Sequence, residues 1–272
     1  MENLSWVVAI VLALFMWASL SIFPNYYNKK MVYLTIRIVL IIFLLFTQIQ
    51  RTIYLGPIHQ NEYIKNPNSS AYEGQEWYQN PVNYFLLYFC TLSAWSILII
   101  LIYPSKKVME CFFPYMIMGP IVTFIFPTEK PLFWNLGFVN WFTFFFGHAC
   151  TLFATMFMYL YGHTGYKFNK QAIIKSVITG ALVLSCVEVW NFYFGTNFII
   201  GEVQGAFDLK WARPWIMFFT MTVGSVYLAV GLSFAYFFKP IYEKNNIEKL
   251  HLTWWEKFLF YVKRNQDKKI NK

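Results

Sequence analysis

The feature that most constrains this chain is the grouping of its apolar residues into continuous blocks of about 20. That is the length at which a helix crosses a hydrocarbon core of roughly 30 Å. Within lipid the backbone must bond to itself, and an unbroken apolar block does so as a helix. The blocks predict spans at about 3–23, 32–54, 81–103, 108–127, 138–161, 171–194 and 213–238. Pro24, Pro104, Gly162 and Pro240 close four of them, and Pro81 opens the third. Gly119-Pro120 predicts a kink or break in the fourth. A polar stretch of about 26 residues, 55–80, separates the second span from the third. The expected fold is all-α: a polytopic transmembrane helical bundle of about seven spans over 1–240, with a basic amphipathic tail over 241–272.

Only 13% of the residues are charged, about half the share in a soluble domain. The net charge of +9 points to nucleic acid in a soluble protein, but here the charges follow the spans. Sixteen Lys and Arg fall in the loops holding Lys29, Lys106 and Lys167 and in the tail; Arg51, Lys65, Lys130, Lys210 and Arg213 fall on the other side. Basic loops stay in the cytoplasm. The N-terminus is therefore expected outside and the C-terminus inside, in a multi-pass protein of the cell membrane with lipids, not nucleic acid, as partners. The first block is too long for a signal-peptide core and lacks a basic leader and a clear cleavage site, so it reads as a retained span. Ile247, Leu250, Trp254, Phe258, Tyr261 and Val262 recur at helical spacing among Lys249, Lys257, Lys263 and Arg264. That pattern predicts an amphipathic helix on the cytoplasmic leaflet.

Ionisable side chains inside a bilayer are costly and mark candidate sites. Arg37 and Arg51 lie near span ends, where a long side chain reaches the interface. His148 and Glu188 are short and lie within spans five and six. Counting at 1.5 Å per residue puts Cys90 and His148 both roughly 13–16 Å below the outer surface, and Glu188 and Asn191 share that half. Polar residues at helical spacing accompany each: Asn83 and Ser93 with Cys90; Asn140, Thr151 and Thr155 with His148; Ser185 and Asn191 with Glu188. These stripes are expected to face one another.

Such a set allows nucleophilic catalysis. An imidazole takes the proton from a thiol, and a carboxylate or amide fixes the imidazole. Cys111, Cys150 and Cys186 read as packing residues, as buried cysteines usually are; Cys90 is open to both readings on spacing alone. The four cysteines form no disulfide framework or CxxC signature, and the four histidines form no HxxxH or HExxH spacing. No metal and no cofactor is expected.

Trp141-Phe142-Thr143-Phe144-Phe145-Phe146-Gly147-His148 resembles the F-F-x-G-H signature of a YwaF-like family of integral membrane proteins. Asn191 to Phe198 resembles that family's N-x-x-x-G-T-N-Y segment, Pro214-Trp215 the P-W opening its last span, and Phe85 to Cys90 its L-P-L-H-L-C segment. The likeness covers roughly 80–238. A eukaryotic branch of the family includes an ether-phospholipid acyltransferase thought to use the Cys and His of these segments. The resemblance thus implies catalytic roles for Cys90 and His148; Glu188 or Asn191 would orient the base. Asn191, Asn197, Arg51 and Tyr88 are the expected substrate-binding residues. Two positions depart from the pattern: Leu86 replaces the proline, and Tyr88 replaces a histidine two residues before the cysteine. The expected activity is transfer of an acyl chain from a phospholipid, through a Cys thioester, to a lysophospholipid or a lipoprotein amino terminus. The loop 195–212, with Phe198, Ile199 and Ile200, would cover the site as a lid. The alternative is a small-molecule transporter or substrate-binding membrane subunit, although no internal repeat is apparent.

Overall fold

The computed structural model describes residues 2–53, 87–125, 139, 141–244 and 248–270. The polar stretch 55–80, the opening of the third span at Pro81, Asn83 and Asn140 lie outside the described residues, as does the side chain of Arg51.

The chain is a helical bundle: α1 (Glu2–Ile22), α2 (Pro24–Tyr27), α3 (Lys30–Ile53), α4 (Phe89–Ile102), α5 (Lys106–Ile125), α6 (Gly147–Leu160), α7 (Lys170–Phe194), α8 (Ile200–Ala206), α9 (Arg213–Phe237) and α10 (Trp254–Ile270). A π-helical turn, Phe142–Phe146, runs directly into α6. Five helices are long and apolar enough to cross a membrane, and the apolar stretches Trp6–Ile22 and Phe89–Ile102 are shorter. Together they correspond to the seven expected blocks.

Burial sorts the helices into a centre and a rim. Along Phe142–Leu160, 94% of the span is buried inside the protein, against 17% of Lys170–Phe194 and 22% of Arg213–Phe237. Residues such as Leu182, Phe218 and Val226 therefore face outward, which lipid tolerates and water does not. Helix α6 is packed by α1, α3, α4 and α5, while α5 also packs against α7 and α9 and so stands between α6 and α7. Aromatic hydrogen bonds tie the core helix to its neighbours. Trp17 Nε1 donates to Ala149 O at 3.1 Å, Tyr161 OH to Leu20 O at 2.7 Å and Tyr159 OH to Ala235 O at 2.8 Å.

Helix α5 runs unbroken through both Pro114 and Pro120, so of the kink or break expected at Gly119-Pro120 the break does not occur. A proline frees the carbonyl four residues before it. For Pro114 that carbonyl belongs to Glu110, and Ser176 Oγ of α7 donates to it at 2.8 Å. A neighbouring helix thus replaces the lost bond, the condition under which proline is tolerated inside a membrane helix. Tyr115 OH returns a bond to Ser176 O at 2.8 Å.

Glu110 itself escaped the sequence reading. It is only 2% exposed, it pairs with Lys175 of α7, and Lys106 Nζ lies 3.7 Å away, one helical turn back. The i,i+4 spacing of Lys106 and Glu110 was the available signal. Arg37 also does more than reach an interface: it donates to Leu101 O and to Ile102 O, capping the carbonyl end of α4, and to Tyr33 OH.

Candidate functional site

Cys90 is the second residue of α4. Tyr88, extended at φ −78° and ψ 153°, precedes the helix and offers no side-chain cap. Cys90 thus sits in the first turn of the helix, at the positive end of its dipole. The cysteine is half-buried, and its Sγ lies 4.0 Å from Thr91 Oγ1. Its position is set by a close crossing of α4 and α5. A Cβ on Gly119 would come within 2.8 Å of Ser93 Oγ and 3.4 Å of Cys90 Cα. Ser93 Oγ also donates to Tyr115 O at 2.8 Å. Glycine is needed there because backbone and side chain of the neighbouring helix occupy the space.

His148 is the second residue of α6 and is 8% exposed. It follows the π-helical turn, a local widening that is frequent at functional sites. Its Nδ1 faces Phe144 O, and its ring meets that of Phe144 edge-on at 4.8 Å. Thr143 of the same turn donates to Gln50 Oε1 of α3 at 3.0 Å. Helices α4 and α6 pack against each other. By the order of spans they run in the same direction, so Cys90 and His148 occupy corresponding ends of adjacent helices.

Glu188 belongs to a second group, on α7. Arg213, the first residue of α9, donates to it through Nε (3.3 Å to Oε2) and Nη2 (3.2 Å to Oε1, 3.0 Å to Oε2). Asn191 Nδ2 adds a bond to Oε1 at 2.9 Å. The carboxylate is thus taken up by a guanidinium fork, while α5 stands between α7 and the helix that carries His148. Sequence reading counted Arg213 only as an outer-side charge; its place before Pro214-Trp215 was the available hint.

Asn191 is 2% exposed and organises the turn that follows α7. It donates to Phe198 O at 3.0 Å, and its Oδ1 accepts from Thr196 Oγ1 at 2.8 Å and Phe198 N at 2.9 Å. The turn needs this support because Gly195 and Ile199 both have positive φ, 64° and 63°, and the second is strained for a β-branched residue. Asn197 is exposed, with its carbonyl accepting from Gly201 N at 3.0 Å.

The expected lid segment is partly helical, since α8 occupies Ile200–Ala206. Phe198, Ile199 and Ile200 are buried. Phe198 and Ile199 pack with Val187, Leu87, Tyr88 and Phe89, and the rings of Tyr88 and Phe198 meet edge-on at 5.1 Å. The turn after α7 therefore rests on the residues immediately before Cys90, and through them the two polar groups become neighbours. Among the described residues no three His, Cys, Asp or Glu side chains could hold one metal ion.

A bundle with an aromatic-stapled core helix, lipid-facing rim helices and polar side chains gathered at helix ends defines a polytopic helical membrane protein. The model of the TMEM164 family, an integral membrane family, matches residues 1–233. The chain belongs to that family, and the match includes Cys90, His148, Glu188, Asn191 and Arg213. Searches of curated proteins and of solved structures gave no match.

Proposed function

We propose that this protein is an acyltransferase of the cell membrane that carries an acyl chain on Cys90. The observation that carries the reading is the setting of Cys90: a half-buried thiol in the first, uncapped turn of α4, packed against the helix whose first turn holds His148. The other cysteines have no such setting, since Cys111 and Cys186 lie inside α5 and α7 and Cys150 is buried in α6. The YwaF-like resemblance of the segments around Cys90 and His148 supports the same pair.

In this reading the His148 imidazole takes the thiol proton, and the Cys90 thiolate attacks the ester carbonyl of a phospholipid. A C–S bond forms and the ester C–O bond breaks. The leaving lysophospholipid oxygen takes the proton back from His148. A second hydroxyl, of a lysophospholipid, or the amino terminus of a lipoprotein then attacks the thioester, again losing its proton to His148, and the thiol is restored. Glu188, held by Arg213, and Asn191 shape the mouth of the site with Tyr88, Phe198 and Asn197, and Arg51 contributes to headgroup binding.

The test is reconstitution into vesicles with a phospholipid labelled in its acyl chain and an unlabelled lysophospholipid. Wild type transfers label, and intact-protein mass spectrometry finds a hydroxylamine-labile acyl adduct on Cys90. Cys90→Ala loses both, and His148→Ala lowers the rate by about 10²-fold or more, the usual worth of a general base. Transfer by folded Cys90→Ala at the wild-type rate refutes the reading.

A further inference from the structure

Helix α10 lies beyond the residues that the family model matches, and the mechanism above makes no use of it. Its position is nevertheless built. Where α6 ends, Leu160 O accepts from both Ile241 N (2.7 Å) and Tyr242 N (3.2 Å). The chain then doubles back: Glu243 N donates to Glu248 O at 2.8 Å and Leu250 N to Ile241 O at 2.7 Å. Gly162 lets this hairpin lie flat on the end of α6; it has φ 67°, and a Cβ there would stand 2.5 Å from Tyr242 O. The ring of Tyr242 stacks on Tyr161 at 5.5 Å.

Of the helix expected from Ile247 and Leu250 onward, Ile247 lies outside the described residues, Leu250 is engaged in the hairpin, and α10 starts at Trp254. Its start is fixed by a capping box. Thr253 N donates to Glu256 Oε2 at 2.9 Å and Glu256 N to Thr253 Oγ1 at 3.1 Å, while Lys249 Nζ reaches Glu256 Oε1 at 2.5 Å. Helix α10 packs against α1, with Trp255, Glu256 and Val262 half-buried.

The surface left outside is of mixed character, and Leu259 and Phe260 are exposed too, at 49% and 66%. Trp254, Phe258 and Tyr261 are 48%, 50% and 64% exposed, and at i, i+4 and i+7 they form one stripe. Lys257 and Arg264 flank that stripe, and Lys263 lies on the opposite side of the helix; all three are exposed and form no ion pair with a described residue. The helix is attached at the end of the bundle that carries Lys29, Lys30 and Lys106. A second copy of this chain, with net charge +9, would meet that surface with the same sign of charge. Anionic lipid headgroups complement it, with an acyl boundary beside them for the aromatic stripe.

We propose that α10 is a fixed, in-plane binding surface for anionic phospholipids of the cytoplasmic leaflet. Lys257 and Arg264 contact headgroups, and Trp254, Phe258 and Tyr261 enter the acyl boundary. The test is hydrogen exchange of the full chain in vesicles of phosphatidylcholine, with or without phosphatidylglycerol. Amides of 254–264 become more protected with the anionic lipid, by tenfold or more on the order expected for two surface cations. The gain disappears in high salt and in the double variant K257E/R264E, whose α6 amides keep wild-type protection and so report an intact fold. Equal protection in the two lipids overturns the proposal, as does a gain that survives the double variant. Protection that rises instead with protein density in pure phosphatidylcholine identifies a second copy as the partner and also overturns it.

Discussion

Replacing Asn191 by Leu tests how the turn above the site is held. The side chain makes four hydrogen bonds, and two of them satisfy both polar groups of the Phe198 peptide, N–H at 2.9 Å and C=O at 3.0 Å. Leucine fills a similar volume but leaves the buried Phe198 N–H unpaired, whereas Phe198 O keeps its bond from Ile200 N at 2.7 Å. An orphaned group costs about 1–3 kcal/mol and each further lost bond about 1 kcal/mol. Phe198 O and Thr196 each lose one such bond, while Glu188 keeps Arg213. The expected cost to the turn is about 3 kcal/mol, or roughly a hundredfold in its opening equilibrium. Hydrogen exchange of a peptide covering 195–200 reads this directly, because local opening exposes the Phe198 amide. Protection is expected to fall by about two orders of magnitude in Asn191→Leu. Thr196→Val removes one bond of about 1 kcal/mol and should lower it only severalfold. A loss below about threefold in Asn191→Leu would show that the asparagine does not hold the turn.

Four further outcomes are expected. Gly231→Ala places a Cβ 2.6 Å from Pro114 O and 2.7 Å from Pro114 Cα; backbone cannot yield cheaply, so the variant should lose about 2–3 kcal/mol in thermal unfolding. Gly224→Ala, with nothing within 4 Å of its Cβ, should gain up to about 1 kcal/mol. Lys175→Met leaves the buried Glu110 with Lys106 alone and should cost about 3 kcal/mol; adding Glu110→Gln should recover part of that in the same unfolding assay. His163 lies in the loop after α6, stacked on Tyr33 at 3.9 Å. Burial, then the nearby Arg37 charge, lower its pKa from 6.5 to about 3. Above pH 6.5 it is neutral in folded and unfolded chains alike. Between 6.5 and about 3 only the unfolded chain gains the proton, so stability falls by up to about 1.4 kcal/mol per pH unit. His163→Phe should flatten the pH profile of the unfolding midpoint in that window, and an unchanged slope would assign the acid sensitivity to other groups.

The membrane architecture was legible in the sequence because the bilayer imposes a length and a polarity on each helix, and both survive as simple periods and counts. The seven blocks, the prolines that close them and the amphipathic tail all follow from that. The residues at helix ends were legible too: Cys90, His148, Glu188 and Asn191 stand out because polar groups inside apolar blocks are few. Their partners were not. Arg213 takes the carboxylate of Glu188, Ser176 bonds the carbonyl that Pro114 frees, and Lys175 neutralises a glutamate that no local pattern marked as buried. Each of these pairs joins residues 25 or more positions apart, on helices whose adjacency the blocks do not encode. Period and composition specify which face of a helix is apolar. Only packing decides which helix that face meets, and hence which hydrogen bonds the buried polar groups can make.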